Sequence, residues 1–217
     1  MRPFLVAIDG PAASGKGTLA RRLAEHFGLA HLDTGKLYRA AALLALDGGA
    51  DPGNAAAAEA AARRVTPALL ADPRLLGEQV AGAASVVAAI PAVRAALLDF
   101  QRDFAARPPP PAKGAVLDGR DIGTAVCPDA TLKLFVTASP ESRAARRLKE
   151  LRQRGAAAIY DDVLQDMKER DARDSERRVA PLAAAPDAVT IDTTTLDPDQ
   201  VFETASKLIA RALAAHG

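Results

Sequence analysis

A glycine-rich segment near the start of the chain has the residue types and spacing best suited to chemistry. The segment consists of Gly10, Pro11, Ala12, Ala13, Ser14, Gly15, Lys16, Gly17 and Thr18. The apolar run 4–8 precedes it, and Leu19, Leu23 and Phe27 follow it at helical spacing. Between a strand and a helix, the pattern G-x-x-x-x-G-K brings backbone N–H groups and a lysine together around phosphate oxygens. The segment therefore predicts a triphosphate-binding loop, in preference to a tight turn with a solvated lysine.

The residue after the lysine departs from the usual phosphate-loop pattern. Gly17 stands where Ser or Thr normally ligates Mg²⁺, and Thr18 comes one place later. We therefore expect the ion to be held by nucleotide oxygens and water, with carboxylates acting through that water. Asp118, at the end of an apolar run, is the stronger candidate for such a carboxylate, and Asp33 is the weaker one.

Composition narrows the class of protein. The 217 residues are 49% hydrophobic and 25% charged, so we expect a single domain over residues 1–217. A net charge of +1 and an aromatic content of 4% argue against binding of nucleic acid. The N-terminal apolar run is too short for a membrane span and lacks a signal-peptide pattern, and Cys127 is the only cysteine. We expect a cytoplasmic protein without nucleic-acid or membrane partners.

Five short apolar runs alternate with helical stretches, which predicts an α/β fold with parallel strands and crossover helices. The runs cover residues 4–8, 29–32, 115–117, 132–136 and 188–191. Between the second and third runs, an alanine-rich stretch predicts the helices of a substrate-side arm. Small residues at 155–158 interrupt two charged helices, and they suit either a mobile lid or an ordinary turn between helices.

Two polar segments follow predicted strands, at the sheet edge where ligands collect. After the second strand, Thr34 and Arg39 are placed to hold an anion at the start of a helix, although Thr34 could also simply cap that helix. After the third strand, in Asp-Gly-Arg-Asp, Arg120 is placed to bridge phosphates and Asp121 to accept hydrogen bonds from a base or sugar. The alternative for this second segment is a surface turn with an internal ion pair.

Arginines recur at helical spacing on both sides of the small-residue tip. The rows comprise Arg143 and Arg147, then Arg170, Arg173 and Arg177. We favour an interpretation in which these arginines close over bound phosphates. The alternative is that both rows form solvated helix faces that pair with Glu141, Glu169 or Asp174. The three histidines form neither a catalytic triad nor a metal-ligand spacing, which fits phosphoryl transfer to an anionic acceptor because that reaction needs no general base.

Together these segments resemble the bacterial cytidylate kinase family, a branch of the nucleoside monophosphate kinases. The matching segments, in the family's order, are 10–18, 33–39, 83–94, 118–121, 168–174 and 179–182. The loop alone is typical of a much larger superfamily. The segments at 85–94 and 118–121 are more specific, and the resemblance covers nearly the whole chain.

The resemblance implies a five-stranded parallel sheet flanked by helices, with an arm for the nucleoside monophosphate at about 35–95 and a lid at about 150–170. It implies ATP and Mg²⁺ on the donor side and CMP or dCMP as the acceptor. We also expect a monomer. Many members carry a small β-rich insert before the Ala-Ala-Ser segment, for which residues 65–79 are too few, so we expect a helical or loop-like arm.

The resemblance also assigns roles to individual residues. Lys16 and the loop from Gly10 to Thr18 would hold the ATP phosphates, together with Arg143 and Arg147. The acceptor phosphate would contact Thr34, Arg39 and Arg120, with Tyr38 beside the nucleotide; the cytosine would contact Ser85, Arg94, Asp121 and Arg177; the sugar would contact Arg170 and Asp174. Lys16, Arg120, Arg147 and Arg170 would neutralise charge on the transferring group.

Two other functions remain open from the sequence. One is a kinase of the same architecture that acts on UMP or another monophosphate, because hydrogen-bonding side chains alone do not fix the base. The other is a nucleotide-sensing switch with little turnover, in which ATP moves the arm and the lid. Substrate competition separates the first from a cytidylate kinase, and ATP binding that ignores every monophosphate would indicate the second.

Overall fold

The structure, a computed structural model, describes residues 2–216 and contains one five-stranded sheet. Its strands are β1 (Phe4–Asp9), β2 (Ala30–Asp33), β3 (Gly114–Gly119), β4 (Leu132–Thr137) and β5 (Val189–Asp192). The strands lie in the order β2-β3-β1-β4-β5 and run parallel. Each predicted apolar run overlaps one of these strands, so the predicted fold class is confirmed.

The central strands β1 and β3 are buried on both faces, as expected for a parallel sheet covered by helices. Val6, Ile8 and Leu117 have no exposed surface. The two strands pair so that Asp9 lies opposite Gly119. Their carboxyl ends are therefore level, and the segments that follow them leave the sheet at the same edge.

Helices cover the sheet and form most of the rest of the described chain. They are α1 (Lys16–Phe27), α2 (Thr34–Asp47), α3 (Ala55–Ala62), α4 (Glu78–Val87), α5 (Pro91–Ala106), α6 (Pro140–Gln153), α7 (Tyr160–Ser175) and α8 (Pro198–His216). Short 3₁₀ helices occupy Pro67–Ala71 and Pro73–Leu76, and Ile122–Val126 form a π-helical turn. Within residues 2–216, no single helix is long and apolar enough to cross a membrane; α4 and α5 meet that test only as a pair, bent by 101°.

Contacts divide the described chain into two compact units. The first contains the residues up to His31 and those from Ala105 onward, and the second is Leu32–Phe104. In the first unit, Leu23 of α1 and Ile209 of α8 belong to the same apolar core as β1, β3 and β4. This packing holds the start of α1 against the sheet edge that carries the phosphate loop.

The second unit contains the predicted arm and is helical. Between β2 and β3, the described residues form helices and turns but no strand, which confirms the expectation of an arm without a β-rich insert. Its core joins α2 to the 3₁₀ helices and α4 through Leu43, Leu75 and Val80. Alanine is abundant at these contacts, so the helices approach one another with little side-chain volume between them.

Helices α6 and α7 form a hairpin that contains the predicted lid. Leu151, Val163 and Met167 bury its interior. Residues 154–159 connect the two helices, and Gly155 adopts a positive φ of 81° there. The small residues thus form a turn between helices, and closure of this hairpin over a substrate stays a prediction.

Candidate active site

The phosphate loop depends on glycine at its first position. Gly10 has a φ of 151°, and a Cβ atom there would lie 1.9 Å from the carbonyl oxygen of Val136 on β4. No other residue type fits without moving the strand. Gly15, with φ of 90°, precedes α1 and offers no side-chain cap. The first N–H groups of α1 are therefore available to an anion, as phosphate binding requires.

Lys16 folds back over the loop. Its side chain is buried, and Nζ donates to the carbonyl oxygen of Pro11 at 3.2 Å. The ammonium group is thus held inside the loop, close to the backbone N–H groups at the start of α1. Ser14 adds a buried hydroxyl that has no hydrogen-bond partner among the described residues. Lysine, hydroxyl and N–H groups together form a cradle suited to a polyphosphate.

A cavity of about 430 Å³ opens beside this loop. Residues from Ala13 to Leu19 form one wall, and the remainder is lined by other residues that include Arg146, Glu150, Thr193, Leu196 and Pro198. Arg146 donates to the hydroxyl of Thr193 at 2.9 Å, and that hydroxyl donates to the carbonyl oxygen of Ser14 at 3.1 Å. Arg146 and Thr193 were not predicted from the sequence, although Arg146 lies between Arg143 and Arg147 on the same helix.

The two arginines predicted to meet ATP have different surroundings. Arg143 is buried: Nε donates to Ala138 O at 3.0 Å, Nη1 to Ala12 O at 3.3 Å and Nη2 to Asp171 Oδ2 at 2.6 Å. It therefore joins the phosphate loop to α7 through protein contacts. Arg147 is partly exposed and pairs with Glu150 at 2.7 Å.

Asp118 lies at the end of β3 and contacts a histidine on the neighbouring strand. Oδ1 is 2.8 Å from Nε2 of His31. A Cβ built on Gly17 would lie 3.6 Å from Oδ2, so the second oxygen faces the start of α1. No group of three or more His, Cys, Asp or Glu side chains in residues 2–216 is arranged to hold a metal ion. A single carboxylate beside the loop fits an ion held mainly by nucleotide oxygens.

Asp33, the weaker metal candidate, caps a helix. Its carboxylate accepts a hydrogen bond from the N–H of Lys36 at 3.3 Å, at the start of α2. Thr34 is the first helical residue, so the alternative in which Thr34 caps this helix is wrong. A carboxylate is favoured at this position because it satisfies an N–H group that has no partner within the helix.

The turn after β3 contributes Arg120 to a cluster of arginines around the carboxylate of Asp174. Nε of Arg120 donates to Asp174 Oδ2 at 2.9 Å, and Nε of Arg177 donates to the carbonyl oxygen of Asp174 at 3.1 Å. Burial alone would raise the pKa of Asp174, but the charges of Arg120, Arg170 and Arg177 outweigh it and lower the pKa. The alternative of an exposed turn with an internal ion pair is wrong, because Asp118 and Asp121 are buried and Arg120 pairs with α7.

The second unit holds the remaining predicted substrate residues. Thr34, Ser85 and Arg94 are buried, and the guanidinium of Arg94 lies 5.4 Å from the ring centre of Tyr38. Nη1 of Arg94 donates to Ala88 O at 3.3 Å, and Nη1 of Arg39 donates to Leu75 O at 2.7 Å. These contacts orient both guanidinium groups. The first unit gathers the loop, Asp118, the arginine cluster and Asp121, and the second gathers the other five predicted contacts.

Solved structures similar to this chain at low sequence identity support the fold. A Thermus thermophilus protein superposes with a TM-score of 0.51 at 19% identity, over 98% of this chain and 99% of that one. An uncharacterized protein from Eubacterium ventriosum also gives 0.51, at 15% identity over 96% of each chain.

Sequence comparison is more specific. The sequence model of the cytidylate kinase family matches residues 6–211. A cytidylate kinase from Rhodospirillum rubrum is 63% identical over 208 residues, which cover 95% of this chain and 97% of that protein. A cytidylate kinase from Paramagnetospirillum magneticum is 60% identical over 205 residues, covering 94% and 97%. With the phosphate loop, the Asp-Gly-Arg-Asp turn and the arginine cluster all in place, this chain belongs to the cytidylate kinase family.

Proposed function

We propose that this chain transfers the γ-phosphoryl group of ATP to CMP or dCMP, giving ADP and CDP or dCDP. Membership of the family supports both the phosphotransferase activity and ATP as the phosphoryl donor. The structural observation that best supports the proposal is the pairing of β1 with β3, which starts the phosphate loop and the Arg120 turn from the same sheet edge.

On the donor side, the loop from Gly10 to Thr18 and Lys16 hold the phosphates of ATP. The uncapped N–H groups of α1 and the buried ammonium group supply the positive potential. The cavity beside the loop takes the nucleoside, with Arg146 on its wall. Arg143 holds the loop through Ala12, and Arg147 is the lid arginine that can exchange its exposed Glu150 partner for a phosphate.

On the acceptor side, charged groups bind the phosphate and buried polar groups read the base. Thr34, Arg39 and Arg120 hold the phosphate, with Tyr38 beside the nucleotide. The cytosine contacts Ser85, Arg94, Asp121 and Arg177, and the sugar contacts Arg170 and Asp174. Support comes from the existing contacts of Arg39, Arg94 and Arg120, which fix these long side chains before any ligand arrives.

The transfer needs positioning and charge neutralisation more than proton transfer. An oxygen of the CMP phosphate forms a bond to the γ-phosphorus of ATP. The bond between that phosphorus and the bridging oxygen breaks, and the bridging oxygen leaves as part of ADP. Lys16, Arg120, Arg147 and Arg170 neutralise charge on the transferring group. Mg²⁺, when bound with ATP, would supply further positive charge, and Asp118 would hold it through water. Closure of the α6–α7 hairpin excludes water, which competes as an acceptor.

The experiment offers CMP, dCMP, UMP, AMP and GMP separately to the purified protein with ATP and Mg²⁺, and it follows each diphosphate formed. We expect turnover with CMP and dCMP above the others. A Lys16→Met preparation controls for contaminating kinases. Turnover only with another monophosphate would replace this proposal with a kinase of different base specificity. ATP binding without turnover would indicate the nucleotide-sensing switch.

We also propose that the protein acts as a monomer in the cytoplasm, without nucleic-acid or membrane partners. The proposal is supported by the near-neutral net charge and by the single cysteine, Cys127, which is buried. Light scattering after gel filtration tests the monomer, with a mass near 22.5 kDa as the expected result. A mass twice as large would contradict it.

A further inference from the structure

A buried carboxylate joins the phosphate loop to the turn that carries Arg120 and Asp121. Asp9 is the last residue of β1 and comes directly before Gly10, and it is 4% exposed. Its Oδ1 accepts a hydrogen bond from the N–H of Ile122, and its Oδ2 accepts one from the N–H of Gly123, each at 2.8 Å. Both carboxylate oxygens are therefore bound to consecutive N–H groups on the segment that follows β3.

These two N–H groups open the π-helical turn, so they have no partner within it. The same turn includes the backbone of Asp121, whose carbonyl oxygen accepts from Ala125 at 2.9 Å and Val126 at 3.1 Å. A displacement of the turn therefore displaces Asp121 and, one residue earlier, Arg120. The two hydrogen bonds of Asp9 fix the start of this turn relative to β1.

We propose that Asp9 is a positioning residue for phosphoryl transfer: through Ile122 and Gly123 it holds Arg120 and Asp121 in register with the phosphate loop. Asp9 itself touches neither substrate. The inference rests on the proposed function, because that function gives Arg120 the acceptor phosphate and Asp121 the base. Misplacement of such groups by a fraction of an ångström is expected to weaken acceptor binding and transfer.

The charge state of Asp9 decides whether both hydrogen bonds exist. Burial raises the pKa of Asp9 to about 6. The two N–H hydrogen bonds and the charge of Lys16 oppose this rise, and the charge of Asp121 adds to it. Lys133 of β4 also lies near, because a Cβ on Gly123 would be 3.1 Å from its Cδ. A protonated carboxyl loses one acceptor site, and so does an asparagine. Low pH and Asp9→Asn should therefore have the same effect on the turn.

The first test compares Asp9→Asn with a matched control, Glu203→Gln, which neutralises an exposed carboxylate on α8. For Asp9→Asn we expect the KM for CMP to rise about 10- to 100-fold. The dissociation constant for ATP, measured without CMP, should change by less than about threefold because the loop keeps its own backbone contacts. Glu203→Gln should match wild type in both. Equal losses of ATP and CMP binding, or none, would overturn the inference.

The second test varies pH. We expect the ratio of wild-type to Asp9→Asn kcat/KM for CMP to fall toward 1 as pH drops from 7.5 to 5. Titration of the CMP phosphate, with a second pKa of about 6, affects both proteins equally and cancels in the ratio. A ratio that does not change with pH would contradict the inference.

A second variant keeps the test independent of how Asp9→Asn folds. Gly123→Ala leaves Asp9 intact but places a Cβ 3.4 Å from its Oδ2 and against Lys133. We expect a smaller rise in the KM for CMP with ATP binding unchanged, and an unchanged KM would count against the inference. If wild type itself does not phosphorylate CMP, the proposed function fails. If wild type is active and both variants match Glu203→Gln, only the role of Asp9 fails.

Discussion

The phosphate loop and the turn that carries Arg120 follow the neighbouring strands β1 and β3, but different chemical groups form the two sites. In the loop, positive φ at Gly10 and Gly15 and the uncapped start of α1 direct backbone N–H groups toward one place. Around the turn, charge comes from side chains on separate segments, with three arginines surrounding Asp174. The first site depends on backbone shape, and the second depends on which side chains the fold brings together.

The two buried carboxylates show the same difference. Asp9 accepts from neutral N–H groups, and its pKa stays raised, to about 6, because burial outweighs those hydrogen bonds. Asp174 is also buried, but the full charges of its arginine neighbours outweigh burial and lower its pKa. Neutral donors thus orient a carboxylate without keeping it strongly ionised, whereas guanidinium groups do both.

The largest expected effect comes from the one full charge in the loop. Lys16→Met should lower kcat by about 10³-fold or more, because we propose that the buried ammonium group neutralises charge on the transferring phosphoryl group. Folding should persist, since methionine fills a similar volume. Steady-state kinetics and thermal unfolding measure the two quantities. Turnover within about tenfold of wild type would show that backbone N–H groups alone suffice for the loop.

The second prediction tests the contrast between the two carboxylates. The pKa of Asp9 rises from an ordinary value of 3.8 to about 6 on folding, so between these pH values the native state binds a proton that the unfolded chain has released. Its contribution to the free energy of unfolding therefore increases as pH falls from 7 to 4, by up to about 3 kcal/mol. Asp174 acts in the opposite direction: its lowered pKa gives stability above its unfolded pKa that is lost as pH falls further.

Urea unfolding of wild type and Asp9→Asn across this pH range measures the effect. The difference between the two proteins isolates Asp9, because every other titrating group is common to both. We expect wild type to gain stability relative to the variant as pH falls. Curves that run parallel from pH 7 to pH 4 would show that Asp9 keeps a normal pKa.

The third prediction concerns the arginine cluster. Arg120→Lys keeps the charge but loses the planar guanidinium group that contacts Asp174. If Arg120 also holds the acceptor phosphate, as we propose, the KM for CMP should rise about tenfold. The matched control, Arg63→Lys, alters an exposed pair with Glu59 on the arm and should leave the KM unchanged. Equal KM values for the two variants would mean that charge alone, rather than its geometry, serves the acceptor site.

The smallest expected effect lies in the cavity beside the loop. Arg146→Ala removes one wall and the contact with Thr193, and we expect the KM for ATP to rise about fivefold with the KM for CMP unchanged. Arg152→Ala, on the same helix but exposed, is the control. A larger change for CMP than for ATP would place this cavity on the acceptor side.

The features that depend on short stretches of sequence were predicted correctly. The five strands and the phosphate loop follow from apolar runs and from glycine spacing within about ten residues. The absence of a β-rich insert from the arm was expected from the resemblance to the family, because residues 65–79 are too few for the insert that many members carry. These features require no knowledge of contacts between distant segments.

Two of the features that sequence reasoning missed depend on contacts across the fold. No role was predicted for Asp9, because its partners at 122 and 123 are more than a hundred positions away. Arg146 was passed over for its neighbours on either side, because helical spacing does not show which arginine faces Thr193 of a later loop. Thr34 was considered as a helix cap, yet Asp33, one residue earlier, takes that place.

The close approach of Gly10 to β4 determines which residue types position 10 can hold. Every residue other than glycine carries a Cβ, and at Gly10 that atom would overlap a backbone carbonyl that cannot rotate away. Gly28 also has a positive φ, but nothing lies within 4 Å of a Cβ at that position. A library that randomises codons 10 and 28, selected for growth that depends on the enzyme, should return glycine alone at position 10 and admit asparagine at position 28.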